Sequence, residues 1–332
     1  MIIVTGGAGF IGSNLLAKLE EKGLTNLVVC DYLGTEDKWR NIAKRELRDI
    51  VHPDNLLHYM DKHDGEIQAV FHMGAISATT ERDADLIIQT NFTLSRKLWK
   101  WCAEHDVRFV YASSAATYGD GNQGFKDAET PEHLKTLQPL NPYGWSKHLF
   151  DRRTCRIVHD TKHGDEKLPP QWAGLKFFNV YGPNEYHKGD MMSVACKLYP
   201  QITAGAAAKL FRSPNPKYED GGQMRDFVFV DDCVNVMMWL YDNPKVNGLF
   251  NVGSGKARSF KDLASSCFKA LGHEPRINYM DMPQELHAKY QYFTQADISK
   301  LRAAGYTKPM TELEEGVRIY MQDYLSREDQ YR

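Results

Sequence analysis

The sequence lacks the features that mark several protein classes. Its 41 basic and 43 acidic residues nearly cancel, so it has no charge excess of the kind that binds nucleic acid or an anionic membrane surface. No apolar run approaches the roughly 20 residues that span a bilayer, and glycine follows only a few apolar residues at the N-terminus, unlike a signal peptide. The six cysteines include no CxxC pair, which argues against a metal site and fits reduced thiols. We therefore expect a cytoplasmic protein with no metal, no nucleic-acid partner and no membrane partner.

Short apolar segments alternate with helical ones over the first half of the chain. Strands are predicted at residues 1–5, 27–31, 69–72 and 108–112, and helices at 11–22, 83–105 and 142–159. Such alternation predicts an α/β fold, with a doubly wound parallel sheet covered by helices on both faces. Later segments include a strand ending at Asn179 and a buried strand at 227–230, and they predict a smaller lobe interleaved with the first. Leu98, Trp99 and Trp101 are interpreted as a helix face packed on the sheet, and His72 as a core residue.

Three glycines, Gly6, Gly9 and Gly12, stand between the first strand and the first helix. In a Rossmann-type domain the first glycine allows a tight turn, the second lets the backbone approach a pyrophosphate, and the third lets the helix pack on the sheet. The pyrophosphate then lies at the helix N-terminus, where free N–H groups favour negative charge. The pattern therefore predicts a dinucleotide-binding Rossmann domain at 1–170, to which a segment near 225–255 returns. Residues 171–332 are then mainly a substrate-binding lobe.

The residues after the second strand leave the identity of the dinucleotide open. Asp31 is placed to bind a ribose 2′-hydroxyl, which favours NAD. Lys38 and Arg40 follow closely and could bind the 2′-phosphate of NADP. The two alternatives are about equally supported by these residues alone.

A tyrosine and a lysine, Tyr143 and Lys147, lie four residues apart on a predicted helix and hence on one face of it. A free phenol has a pKa near 10, and we expect the nearby ammonium to lower the pKa of Tyr143. Ser114 follows the strand at 108–112, at the sheet edge where α/β folds bind ligands. We therefore expect Ser114 to donate a hydrogen bond to a reacting oxygen and Tyr143 to exchange its proton.

These residues belong to longer motifs that resemble the extended short-chain dehydrogenase/reductase family, known for nucleotide-sugar epimerases and dehydratases. The motifs are TGGAGFIG (5–12), SSAATYG (113–119), NPYGWSK (141–147), FNVYGP (178–183), RDFVFVDD (225–232) and FNVGSG (250–255). Residues 178–194 and 289–306 resemble the branch of the family that epimerises an ADP-linked heptose at C6 for the lipopolysaccharide core. The resemblance implies NADP as cofactor, with NAD as the alternative, an ADP-heptose substrate, and a ring-like homo-oligomer, a pentamer.

The resemblance also implies individual site residues. The catalytic residues would be Ser114, Tyr143, Lys147 and, as a second acid/base, Lys188. The cofactor would contact Gly6, Gly9, Phe10, Ile11, Gly12, Asp31, Tyr32, Lys38, Lys62, Met73, Gly74, Ala75, Ile76, Ser77, Asn91, Lys147, Val180 and Lys188. The substrate would contact Asn179, Asp190, Lys197, Phe211, Arg212, Ser213, Pro214, Arg225 and Tyr290. Asp190 and Lys197 depart from the serine and histidine found in better-known members, and Arg225 could equally serve a structural carboxylate.

Three other functions remain to be weighed. A UDP-hexose 4-epimerase uses the same Tyr/Lys/Ser set and differs in its sugar pocket. A nucleotide-sugar 4,6-dehydratase needs an acidic pair beside the active-site serine or threonine, where this chain has Ala115 and Ala116. A cofactor-binding regulator without catalysis is disfavoured by the intact Tyr143 and Lys147.

Overall fold

The computed structural model describes residues 1–159, 166–283 and 291–332. The strands are β1 Ile2–Thr5, β2 Leu27–Cys30, β3 Asp49–Val51, β4 Ala69–His72, β5 Arg108–Ser114, β6 Trp172–Phe177, β7 Asn179–Tyr181, β8 Ala208–Phe211, β9 Met224–Phe229, β10 Gly248–Val252, β11 Ala257–Ser259 and β12 Ile277–Met280. The helices are α1 Phe10–Glu21, α2 Leu56–Lys62, α3 Ala84–Ile87, α4 Leu94–Glu104, α5 Pro131–Thr136, α6 Pro142–His159, α7 Val194–Thr203, α8 Val230–Asp242, α9 Phe260–Ala270, α10 Ser299–Ala303 and α11 Leu313–Ile319.

Seven parallel strands form the central sheet, in the order β10-β6-β5-β4-β1-β2-β3. The inner strands β1, β2 and β4 are apolar and buried along their whole length, as expected when helices cover both faces. The strand order reverses between β1 and β4, and this reversal is the place where doubly wound folds bind their ligands. The predicted fold class, a doubly wound Rossmann-type sheet, is confirmed.

A second, smaller core lies around two further sheets. One has the order β11-β9-β7 and the other pairs β12 with β8. Helices α7, α9 and α11 supply buried residues to this second core, among them Leu198, Phe268 and Val317. The segments of this lobe alternate along the chain with β6, α8 and β10, so the two cores are interleaved in sequence.

The chain passes between the two sheets at Phe178. The sequence predicts one strand ending at Asn179, and this prediction is wrong in detail, because β6 ends at Phe177 and β7 begins at Asn179 in a different sheet. The buried Phe178 donates its N–H to the Val252 carbonyl oxygen at 3.0 Å, so the last bond of the large sheet is made where the chain turns away. The predicted strand at 227–230 also lies in the smaller sheet, as the end of β9, and Val230 begins α8.

The helical segment predicted at 83–105 is confirmed as α3 and α4, joined by a π-helical turn at Ile88–Thr93. Leu98 and Trp99 are fully buried, and the Trp99 ring lies edge-on to Phe109 of β5 and Trp172 of β6. The interpretation of this helix face as core is therefore correct. In the described ranges, no helix is both long enough and apolar enough to cross a membrane.

Candidate active site

A cleft opens at the carboxyl edge of the central sheet, where the strand order reverses. It is bounded by the loop after β1, the loop after β4, the end of β5, the first turns of α6 and the segment after β7. The lining residues are Gly6, Gly9, Phe10, Ile11, Gly12, Asp31, Lys38, Met73, Gly74, Ala75, Ser77, Ala112, Ser113, Ser114, Tyr143, Lys147, Phe177, Phe178, Val180, His187 and Lys188. The topology thus brings residues from widely separated motifs to one cleft.

The glycine loop leaves room for a diphosphate because side chains are excluded from it. Gly6 has a φ of 63°, and a Cβ there would lie 2.5 Å from the backbone nitrogen of Gly74 in the loop after β4. A Cβ on Gly12 would lie 2.2 Å from the Gly6 carbonyl oxygen, so only glycine lets α1 begin this close to β1. The first N–H groups of α1 therefore face the cleft without side-chain caps, which fits the pyrophosphate of a dinucleotide.

Asp31 and Lys38 form an ion pair at the end of the cleft next to β2. The Lys38 ammonium donates to Asp31 Oδ1 at 2.6 Å and to the Tyr32 carbonyl oxygen at 2.8 Å. The second Asp31 oxygen accepts the Ala8 N–H at 2.9 Å, which ties the carboxylate to the glycine loop. Arg40 instead lies over the Tyr331 ring, 4.6 Å from its centroid. The sequence offers Lys38 and Arg40 equally as ligands of a 2′-phosphate, and of these two only Lys38 lines the cleft.

The serine, tyrosine and lysine of the predicted catalytic set line the same cleft. Pro142 begins α6, and the Asn141 side chain accepts the Gly144 N–H at 2.8 Å. A Cβ on Gly144 would lie only 2.7 Å from the Ala116 carbonyl oxygen, so this glycine allows the helix to approach the loop that follows Ser114. Ser114 and Tyr143 both line the cleft, and the Ser114 side chain lowers the pKa of the Tyr143 phenol against the larger effect of burial.

The expected lowering of the pKa of Tyr143 is not found. Burial raises the pKa of the Tyr143 phenol, while the hydrogen bond with Ser114 acts in the opposite direction and the Asp151 carboxylate raises it further. Burial also lowers the pKa of the Lys147 ammonium to about 8, against the opposing charge of Asp151. The expectation fails because the desolvation of the phenolate outweighs the local polar contacts, so the phenol keeps its proton at neutral pH.

Lys188 lines the cleft from the segment after β7, in a 3₁₀ turn at Tyr186–Met191. Its ammonium lies over the Phe10 ring, 5.0 Å from the centroid, and burial lowers its pKa. The neighbouring His187 also lines the cleft and was not expected there from the sequence. Burial lowers the pKa of His187 to about 4, and the charges of Lys38 and Lys188 act in the same direction.

A buried polar network beneath the cleft escaped the sequence analysis. Asp151 is fully buried and accepts hydrogen bonds from Ser113 at 2.7 Å, Tyr111 at 3.0 Å and the Lys176 ammonium at 2.7 Å. Lys176 is equally buried, so both charges are compensated within the core. The one sequence signal was the spacing of Asp151 four residues after Lys147, which places the carboxylate on the same face of α6.

Four residues expected to contact the cofactor lie outside the lining: Tyr32, Lys62, Ile76 and Asn91. Tyr32 is exposed and donates to Asp54 at 3.0 Å, and Lys62 is exposed near the end of α2. The buried Asn91 amide instead exchanges hydrogen bonds with the Ile76 backbone, at 2.8 and 2.9 Å, and donates to Ser146 of α6 at 3.1 Å. Asn91 therefore holds the loop after β4 against α6.

The described residues among those expected to bind the substrate lie apart from this lining. Asn179 is exposed at the start of β7. The Lys197 ammonium donates to the Asp190 carbonyl oxygen at 2.7 Å, so the two departures from the family pattern contact each other. In the segment 211–214, the Arg212 guanidinium lies 3.1 Å from an Asp281 oxygen.

Arg225 is buried on β9, where its guanidinium donates to the Met224 carbonyl oxygen at 2.9 Å and lies over the Phe260 ring. Tyr290 lies outside the described residues.

The interpretation of His72 as core is correct, because the ring is buried between the Thr5 and Ser95 hydroxyls, at 2.6 and 2.8 Å.

Known proteins resemble this chain in both sequence and fold. The pattern of the NAD dependent epimerase/dehydratase family matches residues 2–253. The ADP-L-glycero-D-manno-heptose-6-epimerase of Nitratidesulfovibrio vulgaris is 52% identical over 99% of each chain, and that of Fusobacterium nucleatum is 47% identical over the whole of both. The crystal structure of the Helicobacter pylori enzyme of the same name superposes with a TM-score of 0.75 at 27% identity, covering 97% of this chain and 95% of that one.

The family pattern spans the glycine loop, the end of β5, the Tyr/Lys helix and the segment after β7. These four parts and the loop after β4, which also lies within the matched range, meet at the cleft. The chain therefore belongs to the NAD dependent epimerase/dehydratase family.

Proposed function

We propose that this protein is an enzyme that interconverts ADP-D-glycero- and ADP-L-glycero-D-manno-heptose by epimerisation at C6. The observation that carries the proposal is the presence of two separate titratable side chains, Tyr143 and Lys188, in the lining of one cleft. Relatives that match the full length of the chain carry the name of this activity. The product would supply heptose for the lipopolysaccharide core.

Epimerisation at an alcohol carbon passes through a 6-keto sugar. A nicotinamide bound in the cleft would supply reversible hydride transfer at C6, so no second substrate would be needed. Because hydride is exchanged from one side only, the keto sugar must present its other face before reduction. The reacting oxygen then occupies a different position, and a single acid/base group cannot easily be within hydrogen-bond reach of both positions.

Tyr143 and Lys188 would divide this proton transfer between them. Burial keeps the Tyr143 phenol protonated and brings the Lys188 ammonium closer to its neutral form. In these states Lys188 can accept the hydroxyl proton of one epimer, while Tyr143 can donate to the oxygen of the other. Ser114, which lines the same cleft, would hold the reacting oxygen there.

For the cofactor we propose NADP rather than NAD. Lys38 supports this choice, because its ammonium lies at the Asp31 end of the cleft, where a ribose 2′-phosphate would be bound. Denaturing the purified protein and measuring the mass of any released nucleotide tests the proposal. A nucleotide with the mass of NADP or NADPH supports it, and NAD or NADH contradicts it.

The substrate is tested by two incubations. We expect ADP-D-glycero-D-manno-heptose to be converted to its C6 epimer, resolved by chromatography, and UDP-glucose to remain unchanged. Conversion of UDP-glucose alone would identify a 4-epimerase, and loss of water from a sugar nucleotide would identify a dehydratase. No conversion of either, with cofactor bound, would favour a regulator.

We also propose that the protein forms a homo-oligomer, a pentamer by its resemblance to the heptose branch of the family. Exposed apolar side chains near the edge of the sheet, Trp39 and Ile50, are consistent with subunit contacts. Sedimentation equilibrium measures the assembly mass directly, and a monomer at micromolar concentration would contradict the proposal.

A further inference from the structure

A carboxylate without an assigned role lies in the turn that carries Lys188. Glu185 is 0% exposed, and its side chain accepts the Ser193 N–H at 2.5 Å, the Ser193 hydroxyl at 2.6 Å and the Gly182 N–H at 3.4 Å. A carboxylate is costly to bury unless its charge is compensated. These three donors satisfy its oxygens and close the segment from Gly182 to Ser193 into a loop.

Lys188 lies in the same turn. Its backbone N–H donates to the Glu185 carbonyl oxygen at 3.0 Å, so the two side chains leave adjacent positions of one short helical turn. Gly189 then takes a φ of 53°, which ends the turn and lets the chain reverse toward Ser193. The Lys188 ammonium extends from this anchored turn to the Phe10 ring at the start of α1.

The charges around Lys188 make Glu185 its main electrostatic partner. Among charge effects, Glu185 acts most strongly on the Lys188 pKa and raises it against the effect of burial. The Cys196 thiol on α7 acts weakly in the same direction, and Lys197 on α7 acts against it. On its own turn, His187 is kept neutral near pH 7 by burial, and Phe10 on α1 carries no charge.

We propose that Glu185 is a positioning residue for Lys188: its buried carboxylate anchors the turn that carries the lysine and places a negative charge on that turn. This inference rests on the proposed function, in which Lys188 exchanges a proton with the substrate. The Glu185 carboxylate accepts its hydrogen bonds from Ser193 and Gly182 and does not line the cleft, so Glu185 acts through Lys188.

The test measures the titration of Lys188 directly. The purified protein is exposed to acetic anhydride over a range of pH, and the acetylation rate of Lys188 is followed by mass spectrometry of its peptide. In Glu185→Gln, which keeps an acceptor for Ser193, loss of the charge should lower the titration midpoint by about one pH unit. At a fixed pH below the midpoint, Lys188 should then react about tenfold faster.

A matched control comes from a second buried carboxylate with the same kind of partners. Asp232 accepts the Thr311 N–H at 2.8 Å and the Thr311 hydroxyl at 3.1 Å, and it does not line the cleft. Asp232→Asn should leave the Lys188 midpoint at the wild-type value. Glu185→Asp, which withdraws the carboxylate by one methylene, should give an intermediate midpoint.

An unchanged Lys188 midpoint in folded Glu185→Gln overturns the inference. If that variant does not fold, Glu185→Asp decides alone, and a wild-type midpoint overturns the inference in the same way. The pH profile of epimerisation should shift in the same direction as the labelling. Failure of the proposed function is a distinct result, because the wild-type protein would then leave ADP-D-glycero-D-manno-heptose unconverted, whatever the labelling of the Glu185 variants shows.

Discussion

At the scale of single residues, the cleft contains two titratable groups, Tyr143 and Lys188, and burial shifts their pKa values in opposite directions. Burial disfavours the charged form of each, so it raises the pKa of the Tyr143 phenol and lowers the pKa of the Lys188 ammonium. The result is one group that holds its proton and one that releases it more easily. This is the pairing that a reaction with two oxygen positions requires.

Replacing either group should abolish epimerisation without removing the cofactor. We expect Tyr143→Phe and Lys188→Met each to slow epimerisation by several orders of magnitude, at about 1.4 kcal/mol of barrier per tenfold. Turnover of ADP-heptose and retention of nucleotide are measured on the same preparations. A 6-aldehyde analogue, which one base can dismutate, should still react in one of the variants. Near-normal epimerisation by Lys188→Met would show that the two-group mechanism is wrong.

The choice of cofactor is a second prediction at this scale. Lys38→Glu should weaken the binding of NADP far more than that of NAD, because a repelled 2′-phosphate loses a charge-assisted hydrogen bond. Arg40→Glu makes the same charge change two residues away, at a side chain over the Tyr331 ring, and should affect both cofactors little. Dissociation constants from fluorescence titration measure both effects. Tighter binding of NAD than of NADP by the wild type would contradict the prediction.

At the scale of elements, the segment 329–332 connects parts of the chain that flank the cleft. The Tyr186 hydroxyl, two residues before Lys188, donates to the Gln330 carbonyl oxygen at 2.8 Å. The Arg332 N–H donates to the Asn184 side chain at 3.0 Å, and the Arg332 guanidinium binds Asp231 at the start of α8. The turn that carries Lys188 is therefore held on one side by Glu185 and on the other by this segment.

Removing residues 330–332 should misplace Lys188 while leaving the cofactor contacts of the glycine loop in place. We expect kcat to fall by about tenfold to hundredfold, as for other small displacements of a reacting group, with little change in cofactor affinity. Arg327→Ala is the control, because its side chain makes only a 3.9 Å contact with Asp323 on the exposed surface. Equal kcat values for the truncated and intact proteins would show that the segment does not position Lys188.

At the scale of the whole molecule, buried histidines make the fold sensitive to acid. Burial lowers the pKa of His72 to about 3 and that of His148 to about 4, from an ordinary value of 6.5. The unfolded chain therefore takes up these protons near pH 6.5, while the folded protein does not until pH 3 to 4. The stability that these histidines contribute is complete above pH 6.5 and is lost as the pH falls through this window.

The free energy of unfolding in urea should accordingly decrease between pH 6.5 and pH 4. Each of the two histidines contributes a slope of up to about 1.4 kcal/mol per pH unit. His148→Gln, at a ring whose Nδ1 has no hydrogen-bond partner, should reduce the slope by about that amount. A slope unchanged by the substitution would show that His148 does not titrate as a buried neutral ring.

Local patterns in the sequence predict five of the seven strands of the central sheet, all except β3 and β10, and most of the cleft. Period and composition predict β4 at its observed bounds and α6 at its observed ends, because these elements are long or strongly apolar. The glycine loop, Ser114, Tyr143 and Lys147 could be located because strand ends in a parallel sheet meet at one edge. Lys188 was located only by family resemblance, since a lysine beside glycine in a loop has no local signal of its function.

The sequence by itself determined the α/β class, the dinucleotide loop and the Tyr/Lys helix, since each depends on residues close together in the chain. Only the tertiary structure decided that Phe178 divides two sheets, that Asp151 is paired with Lys176, and that Glu185 is buried on the turn that carries Lys188. It also reversed the expected direction of the Tyr143 pKa shift. The physical reason is common to all four: burial and charge compensation depend on which distant segments pack together, and residue spacing along the chain does not encode that packing.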